Sequence, residues 1–350
     1  MRPVKNIRHG LLVIIALIGT NLAAQDVQPV AQGVRNDLPR PYITQRDWGE
    51  LPAGTAQWAA VTAVEPAPDG EIIYVVHRCF ENSCEDRPEP PILKFDYEGN
   101  LLSSFGAGLF VFPHGATVDH EGNLWVSDAR GSDSIGHQVL KFSPDGEVLM
   151  TLGEPGRGGS SDGLLHSPND VVVDPGTGDI FVAESHRRGM NNRIMHFNAE
   201  GNFIKAFGEQ GSGPGQFSEP HTIAMDSQGR LFVGDRENNR IQIFTQNGEL
   251  VDEWRQFGRP SGIFITADDR LYVADSESGP DTGANELSGI MKGIRIGSAV
   301  DGTVDAFIED LEPLTDPHSG AEGVGVDAAG NVYGAVVRRR MLERHVLESP

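Results

Sequence analysis

Leu231-Phe232-Val233 is followed by Ile241-Gln242-Ile243-Phe244 and then by Asn247-Gly248. An aliphatic-aromatic-aliphatic triplet, a second apolar run and a tight-turn dipeptide, all within residues 231–248, describe antiparallel strands joined by hairpins. The triplet recurs as Ile73-Tyr74-Val75, Leu124-Trp125-Val126, Ile180-Phe181-Val182, Leu271-Tyr272-Val273 and Val332-Tyr333-Gly334. Its aromatic positions step by 51, 56, 51, 40 and 61 residues, each step suiting one four-stranded propeller blade. Third strands follow at Ile92-Leu93-Lys94-Phe95, Val139-Leu140-Lys141-Phe142 and Ile194-Met195-His196-Phe197. Turns follow these at Glu98-Gly99, Asp145-Gly146 and Glu200-Gly201, and a fourth strand at Phe203-Ile204-Lys205-Ala206-Phe207 ends before Gly208. The alternation has period two and helix-period stretches are absent. The fold class is therefore all-β: a six-bladed β-propeller of four-stranded blades, closed into a ring that protects its strand edges. The last blade is one strand short before Pro350, and the segment around Tyr42 to Trp48 is a candidate to return and complete it.

Composition agrees with a turn-rich chain. Of 350 residues 43 are Gly, nearly twice ordinary usage of about 7%. A formal charge of -22 repels phosphate backbones, so nucleic acid and anionic membranes are excluded as partners. At the N-terminus, basic Arg2, Lys5 and Arg8, an apolar run Leu11 to Ile18 and the small-residue site Leu22-Ala23-Ala24 describe a signal peptide over 1–24. The run is too short for a comfortable membrane span. Residues 25–50 are then an N-terminal segment and 51–350 the propeller, exported to the periplasm or secreted, with no membrane association after signal removal. In an oxidising compartment Cys79 and Cys84 can close a small disulfide loop, the alternative being two free thiols.

Just before the innermost strands, Pro-x pairs recur at Pro113-His114, Pro168-Asn169, Pro220-His221, Pro260-Ser261 and Pro317-His318. His114, His221 and His318 are separated by 107 and 97 residues, about two blades each. In a sixfold ring alternate blades stand 120° apart, so equivalent positions on their inner strands bring three imidazoles to the channel axis. The other eight histidines, His9, His77, His120, His137, His166, His186, His196 and His345, show no such register. Three neutral imidazoles suit zinc and leave a fourth position for water or substrate. Asp128, Glu184, Asp235 and Asp275 end the aromatic strands, where acids more often accept backbone N–H groups than bind cations. Gly211 to Gly215 precedes a strand rather than a helix and reads as an inter-blade connection, and Arg338-Arg339-Arg340 as a solvated strand edge.

Phe110-Val111-Phe112-Pro113-His114-Gly115, Gly215-Gln216-Phe217-Ser218-Glu219-Pro220-His221 and Val233-Gly234-Asp235-Arg236-Glu237-Asn238-Asn239-Arg240-Ile241, with Pro317-His318, resemble NHL-repeat propellers, specifically peptidyl-α-hydroxyglycine α-amidating lyase. The resemblance covers most of the chain after roughly residue 50. It implies catalytic zinc on the three matching histidines and cleavage of a hydroxyglycine-ended peptide, bound at the propeller mouth, into an amide and glyoxylate. It also implies active-site roles for Arg78 and Arg236. The family's tyrosine base is missing, and His186 falls where it would sit, within Glu184-Ser185-His186-Arg187-Arg188-Gly189-Met190. Ser319 stands where the family carries the acid of its structural calcium, which puts calcium in doubt, and the family's disulfide beside the tyrosine is absent. A different class of function, an exported propeller that binds a small molecule, peptide or protein without catalysis, is the alternative.

Overall fold

The structure is a computed structural model and describes residues 33–79, 82–185, 191–278, 290–310 and 320–348. Six four-stranded antiparallel sheets follow one another along the chain. Their innermost strands are Val61–Pro66, Pro113–Val118, Pro168–Val173, Pro220–Met225, Gly262–Ile265 and Gly323–Val326. The aromatic triplets form the second strands, and Tyr74, Trp125, Phe181, Phe232, Tyr272 and Tyr333 are all buried. Six apolar clusters each straddle two neighbouring blades. Val126 and Phe142 of blade two pack with Val76 and Ile92 of blade one, and the ring is closed where Tyr333 and Leu342 of blade six meet Val64, Val75 and Phe95 of blade one. Only a single turn of 3-10 helix, Arg236–Asn238, interrupts the β pattern among the described residues.

The outer hairpins explain the Gly turns. Gly146 and Gly248 hold φ of 87° and 79°, a region side chains rarely enter. A Cβ at Gly146 would stand 2.6 Å from the Phe105 ring, and one at Gly248 would stand 2.7 Å from the Phe207 ring. Each turn thus tucks its glycine beneath an outer-strand aromatic of the preceding blade. Blade six is completed by Tyr42–Gln45, which pairs antiparallel with Met341–Leu347. Arg338 to Arg340 form the turn into that strand rather than a strand edge; Arg338 is exposed, and Arg339 reaches Asp310 at 3.0 Å and Glu343 at 3.4 Å.

The four strand-ending acids tie blades to their leading connections. Asp128 accepts from the N–H groups of Val111 and Phe112, Asp235 from Ser218, Asp275 from Arg259, and Glu184 from His166. Arg240 locks Asp235 with a 2.7 Å ion pair. Buried N–H groups left without acceptors would each be costly, so these carboxylates fix the loops that deliver the Pro-x pairs.

Candidate functional site

In blades one to four the innermost strand opens opposite the residue three past its partner strand's aromatic, and a register shift sits there, between Val61 and Ala63, Pro113 and Ala116, Pro168 and Asp170, and Pro220 and Thr222. A bulge adds an unpaired residue and re-aims its side chain. The residues so placed are Thr62, His114, Asn169 and His221. In blades five and six, where the strands pair from Gly262 with Ala274 and from Gly323 with Ala335, the residues one step earlier are Ser261 and Glu322. Thr62, His114, His221, Ser261 and Glu322 all line an axial cavity of about 610 Å³ between the six innermost strands.

Two histidines and one carboxylate converge. His114 Nε2 and His221 Nε2 each stand 3.3 Å from Glu322 Oε1, the two imidazoles meet edge to face at 4.7 Å between centroids, and one donor atom from each of the three residues lies within 4.8 Å of the others. The opposite ring nitrogens face backbone carbonyls: His114 Nδ1 lies 3.0 Å from Asn169 O and His221 Nδ1 2.7 Å from Ser261 O. A carbonyl only accepts, so each Nδ1 carries the proton and each Nε2 presents a lone pair inward. This is the outer-shell arrangement typical of metal-ligating histidine. Burial pushes His114 down to about 4 and lowers His221, keeping both rings neutral at pH 7. Burial alone would raise Glu322, and the positive charge of Arg78 opposes that rise. Lone pairs and a carboxylate turned on one another call for a cation, so the donor set fits a divalent metal ion.

Arg78 and Arg236 stand beside this cluster with different surroundings. Arg78 is 2% exposed and donates from Nε to Pro113 O at 3.3 Å and from Nη1 to Asn82 Oδ1 at 2.9 Å, both uncharged acceptors. Its buried Nη2 has no hydrogen-bond partner among the described residues. Burial lowers Arg78 to about 10, with Glu322 opposing the fall and Arg130 adding to it. Arg78 and Arg130 each lie over the Phe112 ring, at 3.5 and 3.6 Å from its centroid, and two guanidinium groups that close can only occupy opposite faces. Arg236 is instead paired with Glu219 at 2.9 Å and Glu277 at 3.8 Å. Those carboxylates and Glu322 outweigh its burial and raise it. Cys79, which follows Arg78, is bonded to Cys84, and the closed loop carries Asn82.

His186, His318 and Ser319 lie outside the described residues. Glu322 escaped the Pro-x pattern because no proline precedes it. Its signal is the spacing to the aromatic triplet: His114, His221 and Glu322 each precede their blade's aromatic by 11 residues, whereas His318 precedes Tyr333 by 15. Arg130 escaped as well, since nothing in the sequence marks its stacking on Phe112.

The six four-stranded sheets define this chain as a six-bladed β-propeller, and the NHL repeat model matches its residues 217–244. Within that class it resembles the amidating lyases. It is 37% identical over 240 residues to peptidyl-glycine alpha-amidating monooxygenase B of Xenopus laevis, covering 64% of this chain and 25% of that protein. It is 38% identical over 175 residues to the probable peptidyl-alpha-hydroxyglycine alpha-amidating lyase pgal-1 of Caenorhabditis elegans, covering 49% of this chain and 46% of that one. The match thus spans a quarter of the first relative's length and under half of the second's. Among solved structures, the gluconolactonase XC5397 of Xanthomonas campestris shares the fold, with a TM-score of 0.58 and 15% identity over 92% of this chain and 99% of that one.

Proposed function

We propose that this chain is an exported zinc-dependent lyase that splits an N-acyl-α-hydroxyglycine into an amide and glyoxylate. The observation that carries this is the inward-facing cluster of His114, His221 and Glu322, with the guanidinium of Arg78 buried beside it and, among the described residues, hydrogen-bonded to uncharged groups. The kinship with proteins named amidating lyase supports it.

In the reaction the substrate hydroxyl gives up its proton, the C–O bond becomes the carbonyl of glyoxylate, and the C–N bond breaks with its electron pair passing to the amide nitrogen, which takes up a proton. Zinc held by His114 and His221 would supply Lewis acidity toward that hydroxyl. Arg78 is suited to hold the substrate carboxylate, because an anion there completes an incompletely bonded buried cation. Arg236, paired with Glu219 and Glu277, adds positive potential beside the cluster. His186 is the proposed proton acceptor. Export rests on the N-terminal signal pattern and agrees with the Cys79–Cys84 bond.

Zinc-loaded mature protein should release glyoxylate from an N-acyl-α-hydroxyglycine, and the metal-stripped protein should not. Bound zinc with no glyoxylate released would replace the lyase by a ligand-binding propeller.

A further inference from the structure

We propose that Asn82 is a positioning residue for Arg78, held in place by the Cys79–Cys84 bond, so that the loop from 79 to 84 sets how tightly the mouth takes a carboxylate. This rests on the reading that Arg78 holds the substrate carboxylate. The Arg78 guanidinium is fixed from three sides. Its Nε donates to Pro113 O at 3.3 Å, its Nη1 donates to Asn82 Oδ1 at 2.9 Å, and its carbon lies 3.5 Å from the centroid of the Phe112 ring. Hydrogen bonds at two of its nitrogens and a ring against one face give the planar group a set orientation, and with it the direction in which Nη2 points. Pro113 and Phe112 belong to the connection that delivers His114, whereas Asn82 comes from the disulfide loop.

The loop is tied at both ends. At its start the backbone N–H of Cys79 donates to His77 Nδ1 at 3.0 Å, and Cys79 stands at φ 46°, a conformation that non-glycine residues seldom hold unless their surroundings impose it. At its end Ser83 Oγ and the Cys84 N–H both donate to Val111 O, at 3.1 and 2.8 Å, and the Val111 N–H is in turn held by Asp128. The disulfide, with both cysteines buried, joins the two ends, and the exposed Asn82 is carried between them. The residue type at 82 decides what the guanidinium can do for a ligand. An amide oxygen accepts an N–H without cancelling the charge, whereas Arg236 is paired with the carboxylates of Glu219 and Glu277. A carboxylate at 82 would pair with Arg78 as an anionic ligand does, and so would compete with it.

The test uses the zinc-loaded mature protein and calorimetric binding of two probes: N-benzoylglycine, which has the carboxylate but no hydroxyl to react, and N-benzoylglycinamide, which lacks the carboxylate. Folding is followed by the thermal midpoint. Asn82→Asp keeps the size and the acceptor, so a merely structural residue would tolerate it. It should weaken the acid by at least about tenfold, leave the amide within about twofold and keep the midpoint. Asn82→Ala should weaken the acid by about three- to tenfold. The paired change Cys79→Ser and Cys84→Ser should do the same, and adding Asn82→Ala to it should cost little more, because both remove one restraint. Wild-type binding of the acid by Asn82→Asp, equal loss of both probes, or full additivity of the Asn82 and cysteine changes would overturn the proposal, and the Asn82 variants decide it even where the cysteine pair fails to fold. A wild type that takes the acid no more tightly than the amide would overturn the carboxylate role of Arg78, and this inference with it.

Discussion

His77 is fully enclosed, and the backbone N–H of Cys79 donates to its Nδ1 at 3.0 Å, so this imidazole must stay deprotonated at Nδ1 to hold the start of the disulfide loop. Burial pushes it down to about 4, against the opposing charge of Glu89. In the unfolded chain the same ring titrates near 6.5. Between those values the unfolded state binds the extra proton, so the stabilising contribution is complete above about pH 6.5 and is lost as pH falls toward 4. His77→Asn should therefore be less stable than wild type at pH 7.5, with the gap shrinking by up to about 1.4 kcal/mol per pH unit below 6.5. Denaturant midpoints from pH 7.5 to 5 would show it, and a constant gap would refute it. At this scale the sequence was partly legible. His114 and His221 could be read because a proline marks the bulge that aims them, but Glu322 lacks that mark and only its distance from Tyr333 gives it away. The stack of Arg78 and Arg130 on Phe112 joins residues from three connections and leaves no linear trace.

Among elements, the outer hairpin of blade four shows how much a turn dipeptide specifies. Asn247-Gly248 announced two antiparallel strands, and they form as Arg240–Phe244 and Leu250–Trp254. The turn also packs, since Gly248 sits against Phe207 of the preceding blade. Gly248→Ala must accept a left-handed φ of 79° and displace that ring, at a cost of roughly 1–3 kcal/mol. Gly122→Ala, at φ 84° with no heavy atom within 4 Å of the added carbon, carries the conformational penalty alone and should cost less. Equal losses in thermal midpoint would remove packing from the explanation. The second strands were legible in all six blades because each buries an aromatic between neighbours. The sequence offered no Gly signal for the turn at Arg338 to Arg340, where Arg339 is held by Asp310 and Glu343 instead.

For the ring as a whole, closure depends on a strand from far along the chain. Tyr42–Gln45 pairs with Met341–Leu347, Thr44 Oγ1 and His345 Nδ1 lie 2.9 Å apart, and Arg46 pairs with Glu343 at 2.9 Å. Trp48 then wedges between blades six and one, its ring 5.1 Å from Tyr333 and 5.5 Å from Phe95. Upstream, Pro39 O accepts from Phe307 N–H and Asn36 Oδ1 from Met291 N–H, so the same segment also laces blade five. Without it blade six keeps three strands and exposes an unpaired edge, which invites association with other chains. A chain starting at residue 49 should therefore aggregate or self-associate, whereas one starting at residue 33 should stay monodisperse with an unchanged thermal midpoint. Trp48→Ala keeps the strand but empties the wedge, a loss of about 3–5 kcal/mol that should lower the midpoint by roughly 5–10 °C. If the chain starting at residue 49 melts like the longer one and remains monomeric, the ring is held shut by its inter-blade clusters alone and the returning strand is dispensable.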